Sequence, residues 1–246
     1  VPGAADSILR TLEAFGLLWD GPVWRQSERD DAYEAALARL AAQHLTYACS
    51  CSRAELAGNE AADGRYPGRC RAAPGRARGP FATRFRVEEP GTVTVTDRLQ
   101  PPLAQSVAAT VGDFIVRRRD GFYAYQLAVV VDDAAQGITD VVRGLDLYDN
   151  TPRQVLLQQA LGLPRPAYLH LPLVVDAAGA KLSKSDGAPA VEPPAVAAAL
   201  RQVLHWLGLR PPAVLHGAPP QEQLAWAIGA WNPDQIQGVT RVSSAP

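Results

Sequence analysis

Apolar residues return every three or four positions at the start of the chain, then at every second position further on. Ile8, Leu9, Leu12 and Phe15 share one face of a helix predicted over Ala5–Gly16, with Gly16 as its C-terminal stop. The same period runs through Ser27–His44, where Ser27 is the expected N-cap and YEAALARLAAQH the amphipathic body. From Leu45 to Pro80 the periodicity is lost and Cys, Gly, Pro and Arg take over, a stretch too long for an idle connection. Alternation then predicts a strand over Phe81–Val87 and, beyond a Pro-Gly turn, a second in TVTVTD. DFIVRRRDGFYAYQ reads as a strand closing on an Asp-Gly turn. LAVVVDDAAQG fits either state, because its β-branched run favours a strand and its length a helix. ITDVVRG predicts a strand, and YLHLPLVVD a short buried one. NTPRQVLLQQALG predicts a helix capped by Asn150 or Thr151, with Pro152 in its first turn. Helices over 193–207 and 220–231 complete the pattern. Strands and helices together make an α/β chain whose middle carries an arginine-rich insertion.

Composition narrows the class without choosing a function. The 246 residues are 47% hydrophobic and 20% charged, as in an ordinary globular protein. No apolar run reaches the length of a membrane span, and no signal-peptide pattern is present. A net charge of -1 leaves nucleic-acid binding to local basic surface. The chain contains no methionine and opens on what reads as a helix in mid-domain, so the sequence is expected to be a fragment.

All three cysteines lie in one irregular window, Cys49 and Cys51 in CSC and Cys70 at the end of YPGRC. Three thiols cannot all pair as disulfides, and such clustering is what a zinc staple produces in a segment too polar to build its own core. A fourth ligand is needed, and both Tyr66 and His44 are near enough in sequence to supply it. The bland reading is three thiols with no shared task. Arg65, Arg69, Arg71, Arg76 and Arg78, spaced by Gly and Pro, suit phosphate contact as well as they suit a solvated loop. AGAKLSKSDG, residues 178–187, poses a similar choice between a polar turn and a mobile cationic loop that clamps a triphosphate.

The segment YAYQLAVVVDDAAQGITDVVRGLDLYDNTPRQVLLQQALG, followed by LHLPLVVDAAG and KLSKS, resembles the glutamyl class I tRNA synthetases. KLSKS looks like their second signature, Lys-Met-Ser-Lys-Ser. WDGPVWRQSERDDAY and YACSCSRAEL belong to the same pattern, and the ordered set covers most of residues 1–190. Within the family the chain is similar to the short paralogue that acts on tRNA-Asp. Too little sequence follows the lysine loop for the anticodon-binding region of the full enzyme. RGLDL stands where the full enzymes have RGEDH, and Cys49, Cys51, Tyr66 and Cys70 match the paralogue's zinc site residue by residue.

The resemblance implies a doubly wound, Rossmann-like catalytic domain over 1–44 and 105–190. It implies a zinc-stapled, acceptor-binding-like insertion over 45–104 and a helical segment over 191–246. The family's first βα unit, with its His-and-Gly signature, is expected to be absent from this sequence. The implied reaction activates L-glutamate with ATP and passes the glutamyl group to queuosine in the anticodon of tRNA-Asp. Tyr125 and Arg143 match the family's glutamate-binding pair. Without the family, Tyr125 reads equally as a core aromatic and Arg143 as a surface ion pair. Lys184 is the expected main charge donor to the leaving pyrophosphate, supported by Lys181, with Leu182, Ser183 and Ser185 completing the ATP-binding loop. Gly179 and Gly187 are its possible pivots. Asp132 and Asp133 are read as structural caps outside the site. Zn²⁺ is then structural, Mg²⁺ accompanies ATP, and a cytoplasmic monomer that meets no membrane is expected. Two other readings stay open: a fragment of a glutamyl-tRNA synthetase that charges tRNA-Glu, and a non-catalytic zinc-stapled RNA-binding remnant.

Overall fold

The computed structural model describes residues 3–57, 65–73, 75, 78–182 and 195–244. Its elements run α1 (Ala4–Ala14), α2 (Asp30–Ala42), β1 (Thr46–Cys49), the short helices α3 (Arg53–Ala57) and α4 (Arg69–Ala72), and β2 (Ala82–Phe85). Next come β3 (Thr92–Val95), β4 (Leu103–Ser106), α5 (Val107–Thr110), β5 (Phe114–Arg117), α6 (Tyr125–Ala135), β6 (Asp140–Gly144) and α7 (Thr151–Leu161). The chain closes with β7 (Ala167–Leu171), β8 (Leu173–Val175), α8 (Val196–Trp206), α9 (Pro220–Ala230) and β9 (Arg241–Ser243). Two compact units share them: a central unit, Trp24–Leu169, and a terminal unit made of Val1–Val23 and His170–Pro246. No helix among the described residues is long and apolar enough to cross a membrane.

In the central unit β1, β2 and β5 form an antiparallel sheet in that order, and β3 pairs antiparallel with β4. The core joins Tyr33, Leu37 and Leu40 of α2 to Phe85, Val95, Val116, Leu127, Val130, Val155 and Leu161. The ambiguous LAVVVDDAAQG is helical. Helix α6 buries Leu127, Ala128 and Val130, and that apolar burial outweighs the few tenths of a kcal/mol by which valine disfavours a helix. The same helical spacing puts Asp132, only 7% exposed, opposite the start of α2. There it accepts hydrogen bonds from Arg29 Nε and Tyr33 Oη, both at 2.7 Å, and from Gln26 Nε2 at 3.4 Å. Asp132 is therefore an internal anchor and not a helix cap. Ser27 is not the cap of α2: Gln26–Glu28 form a short 3-10 turn and Arg29 takes the N-cap position, its guanidinium drawn to Asp132.

In the terminal unit α1 ends as its sequence requires. Gly16 adopts φ +72°, and the Gly16 and Leu17 amides close back onto the carbonyls of Glu13 and Leu12. Leu200, Leu204, Leu209 and Ala227 pack with Phe15 and Leu224 into a second, smaller core. Pro172 splits YLHLPLVVD into β7 and β8, and β8 pairs in parallel with β9. Beyond β8 the chain turns at Asp176, whose Oδ1 accepts from the Ala178 and Ala180 amides at 2.9 Å each. The return arm brings Lys181 opposite Val175.

The Asp132 anchor makes two checkable statements. Asp132→Asn removes the negative charge from a buried pair and is expected to cost about 3 kcal/mol in urea unfolding. Burial first, then the hydrogen bond to Asp132, raises the Tyr33 hydroxyl above its ordinary value. The folded chain thus keeps a proton that the unfolded chain releases, so this contribution is full below about pH 10 and falls as pH climbs beyond it. Tyr33→Phe is expected to flatten that alkaline loss in thermal melts.

Candidate metal centre and substrate site

The end of β1, the segment before α4 and α4 itself bring Cys49, Cys51, Cys70 and Tyr66 to one point. The three Sγ atoms lie within 4.8 Å of one another, with Cys51 and Cys70 at 3.6 Å. Tyr66 Oη is 3.4 Å from Cys49 Sγ and 3.9 Å from Cys51 Sγ, and it accepts from the Cys70 amide at 2.9 Å. Zinc–sulfur bonds of about 2.3 Å in a tetrahedron place ligand sulfurs about 3.8 Å apart. The cluster is built to that scale, and its donor set of soft thiols with one phenol suits zinc. His44 is exposed at the end of α2 and takes no part in it.

The surroundings tune the cluster. Cys49 and Cys70 are buried, with no disulfide among the three thiols. Burial pushes the Cys49 thiol up, but hydrogen bonds with Tyr66 and Arg84 outweigh it and bring the thiol down to about 7. Cys51 goes the other way, to about 11, through burial and then its contact with Cys70. Arg84 is 6% exposed. Its guanidinium carbon lies 3.6 Å over the Tyr66 ring, and its Nη1 donates to the Asp113 carbonyl at 2.7 Å. A cation therefore sits behind the phenol, the hardest donor of the cluster. Gly112 fixes Tyr66 from the other side. It adopts φ +70°, and a Cβ there would stand 2.7 Å from the Tyr66 carbonyl oxygen.

Tyr125 and Arg143 come together across α6 and β6. Arg143 Nη1 donates to Tyr125 Oη at 3.3 Å and Nη2 to Thr151 Oγ1 at 2.8 Å. Its guanidinium also faces the Tyr168 ring at 5.5 Å. Tyr125 opens α6 and is 45% exposed, so it is not a core aromatic. Arg143 is held by the hydroxyls of Tyr125 and Thr151 and by the Tyr168 ring. Thr151 is fully buried at the first position of α7 and holds the guanidinium plane. The sequence marks Thr151 only as a capping residue, and nothing in its spacing points to Arg143. Nearby, burial raises the Asp133 carboxyl, with the Arg143 charge opposing and Asp132 adding to the rise. Asn150 occupies the N-cap position without a side-chain cap. Its Oδ1 instead accepts from Gln126 and Arg153, both at 2.5 Å.

Lys181 and Leu182 belong to the terminal unit, on the return arm of the turn at Asp176. Leu182 N–H donates to the Val174 carbonyl at 2.9 Å. Ser183, Lys184, Ser185 and Gly187 lie outside the described residues.

The metal cluster is expected to hold one zinc per chain by elemental analysis, lost in Cys70→Ser. Gly112→Ala, which displaces Tyr66, is expected to weaken zinc about tenfold to a hundredfold in competition with a chromophoric chelator.

Comparison with known proteins places the chain in a family. The profile of the class I tRNA synthetases (E and Q), catalytic domain, matches residues 1–204. A glutamyl-Q tRNA(Asp) synthetase of Pseudomonas aeruginosa (strain LESB58) is 52% identical over 236 residues, covering 96% of this chain and 79% of that protein. The protein of the same name from Thiobacillus denitrificans is 51% identical over 239 residues, with the same two coverages. Among solved structures, a glutamate tRNA ligase from Elizabethkingia meningosepticum in complex with its amino acid matches at TM-score 0.65 and 27% identity. That match covers 76% of this chain and 43% of the other. The glutamate-tRNA synthetase of Elizabethkingia anophelis shares the fold at TM-score 0.77 and 23% identity, covering 99% of this chain and 59% of the other. The chain belongs to the class I tRNA synthetases of the glutamyl and glutaminyl group, with an α/β catalytic domain of that kind.

Proposed function

We propose that the chain activates L-glutamate with ATP and transfers the glutamyl group to queuosine in the anticodon of tRNA-Asp. The observation that carries this reading is the identity of about half the residues, over 96% of the chain, with proteins named for that activity. As a member of its family the chain is a ligase of the aminoacyl-tRNA synthetase type. The likeness to solved glutamate–tRNA ligases is half as strong in identity, which favours the queuosine reading over charging of tRNA-Glu.

The residues divide the work. Arg143, its plane set by Thr151, offers a guanidinium to a substrate carboxylate, and Tyr125 supplies a hydroxyl donor beside it. The 3.3 Å contact to Tyr125, longer than the 2.8 Å contact to Thr151, is the one that substrate oxygen would replace. A glutamate carboxylate oxygen then attacks the α-phosphorus of ATP. The bond to pyrophosphate breaks, and a mixed anhydride with AMP results. A nucleophilic group of queuosine next takes the acyl carbon and AMP leaves. Charge grows on pyrophosphate in the first step, so a cationic loop accelerates it. Lys184 is assigned the main part and Lys181 the supporting one, with Leu182, Ser183 and Ser185 completing the loop around ATP and its Mg²⁺. Zinc at Cys49, Cys51, Tyr66 and Cys70 has a structural part, crosslinking a doubly wound domain's insertion that has little apolar core of its own.

Glutamate-dependent ATP–pyrophosphate exchange without tRNA, followed by transfer of labelled glutamate, tests the reading. Label is expected on queuosine-containing tRNA-Asp and not on tRNA-Glu; the reverse would sink it. Arg143→Lys loses the planar fork and is expected to raise KM for glutamate about tenfold or more. Thr151→Val is expected to do so more weakly, with little change in KM for ATP.

A further inference from the structure

The terminal unit contains a cavity of about 750 Å³ that none of the chemistry above uses, within the size range of small-molecule and nucleotide sites. One wall is α8. Leu200 and Leu204 face its core, and Arg201, His205 and Trp206 line the cavity. Arg210 and His216 come from the loop that follows, and Ser243 from β9. Among the described residues no carboxylate lines the cavity. Arg201 and Arg210 have no hydrogen-bond or ion-pair partner among the described residues. Two guanidiniums in a concave site without a counter-ion make an anion site by charge alone. Trp206 adds a second requirement. Its indole N–H already donates to the Ser243 carbonyl at 2.9 Å, so what it offers the cavity is ring surface. An anion beside a flat ring is the chemistry of a nucleotide.

We propose that this cavity is an additional contact site for the RNA substrate. It takes one nucleotide, with the phosphate on Arg201 and Arg210 and the base against Trp206. The proposal rests on the reading that the substrate is a tRNA. It adds a contact in the terminal unit that neither glutamate activation nor the metal centre requires.

The test uses the full chain and an unmodified tRNA-Asp transcript, with binding followed by fluorescence anisotropy over a salt series. Glutamate-dependent ATP–pyrophosphate exchange is measured on the same preparations. The double variant Arg201→Gln with Arg210→Gln is expected to bind the transcript about tenfold more weakly and to lower the salt slope by about one per guanidinium. Trp206→Ala is expected to weaken binding without changing the slope, and Trp206→Phe to recover part of the loss. Exchange stays at the wild-type level throughout. Unchanged affinity and slope in the double variant overturn the inference and leave the ligase reading intact. A fall in exchange that parallels the fall in binding also overturns it, because the substitutions would then be acting through the fold. Failure of the ligase reading shows separately, in the wild type, as absence of glutamyl transfer.

Discussion

One buried carboxylate holds the central unit's working helix in place. Asp132 is reached by Arg29, Tyr33 and Gln26, and all three come from the turn before α2 or its first turns. The helix that carries Asp132 begins at Tyr125, two turns away, and presents Gln126 and Asp133 along its length. A charge buried with two strong donors resists sliding, because any shift leaves donors and acceptor unpaired. The hydroxyl of Tyr125 therefore meets Arg143 at a fixed register, and Thr151 fixes Arg143 from the far side. Positioning of the Tyr125–Arg143 pair is inherited from the ion pair between Arg29 and Asp132.

The arginine-rich insertion solves a different problem. Cys49, Tyr66 and Cys70 are its own buried cluster, with Tyr47, Cys51 and Leu56 packed around them. So small a cluster contributes little apolar burial, and under the proposed function a metal chelated by residues from separated segments would do the work that a core does elsewhere. Arg84 links the two parts. It stacks on Tyr66 while bonding the Asp113 carbonyl, and Asp113 in turn accepts from Tyr47 and the Val87 amide.

The sequence makes some of this legible and hides the rest, for physical reasons. The regular periods of Ala5–Gly16 and NTPRQVLLQQALG give helices close to their observed bounds, because stop and start signals coincide with the apolar face. LAVVVDDAAQG is unreadable by period alone, since a segment buried on most sides has no polar face to time it by. Thr46–Cys49 is concealed because a strand of four residues carries too few alternations to register. The ligand set and the Tyr125–Arg143 pair emerge from motif resemblance, and the geometry brings both sets together. Thr151 and Arg84 escape, because their partners are distant in sequence and their residue types have ordinary local explanations. Ser27 misleads: a good cap by type, it loses the position when Asp132 captures the neighbouring arginine.

The turn at Asp176 has a practical consequence. Lys181, on its return arm, and Lys184 are the only two lysines in the chain. A lysine-specific protease therefore has one short window in which to cut, and every cut separates the segment up to residue 181 or 184 from the one that carries α8, α9 and β9. Labels that react with lysine amines meet the same restriction. The sequence thus carries a built-in footprinting reporter, whose digestion or labelling rate reads the accessibility of these two lysines without any engineered probe.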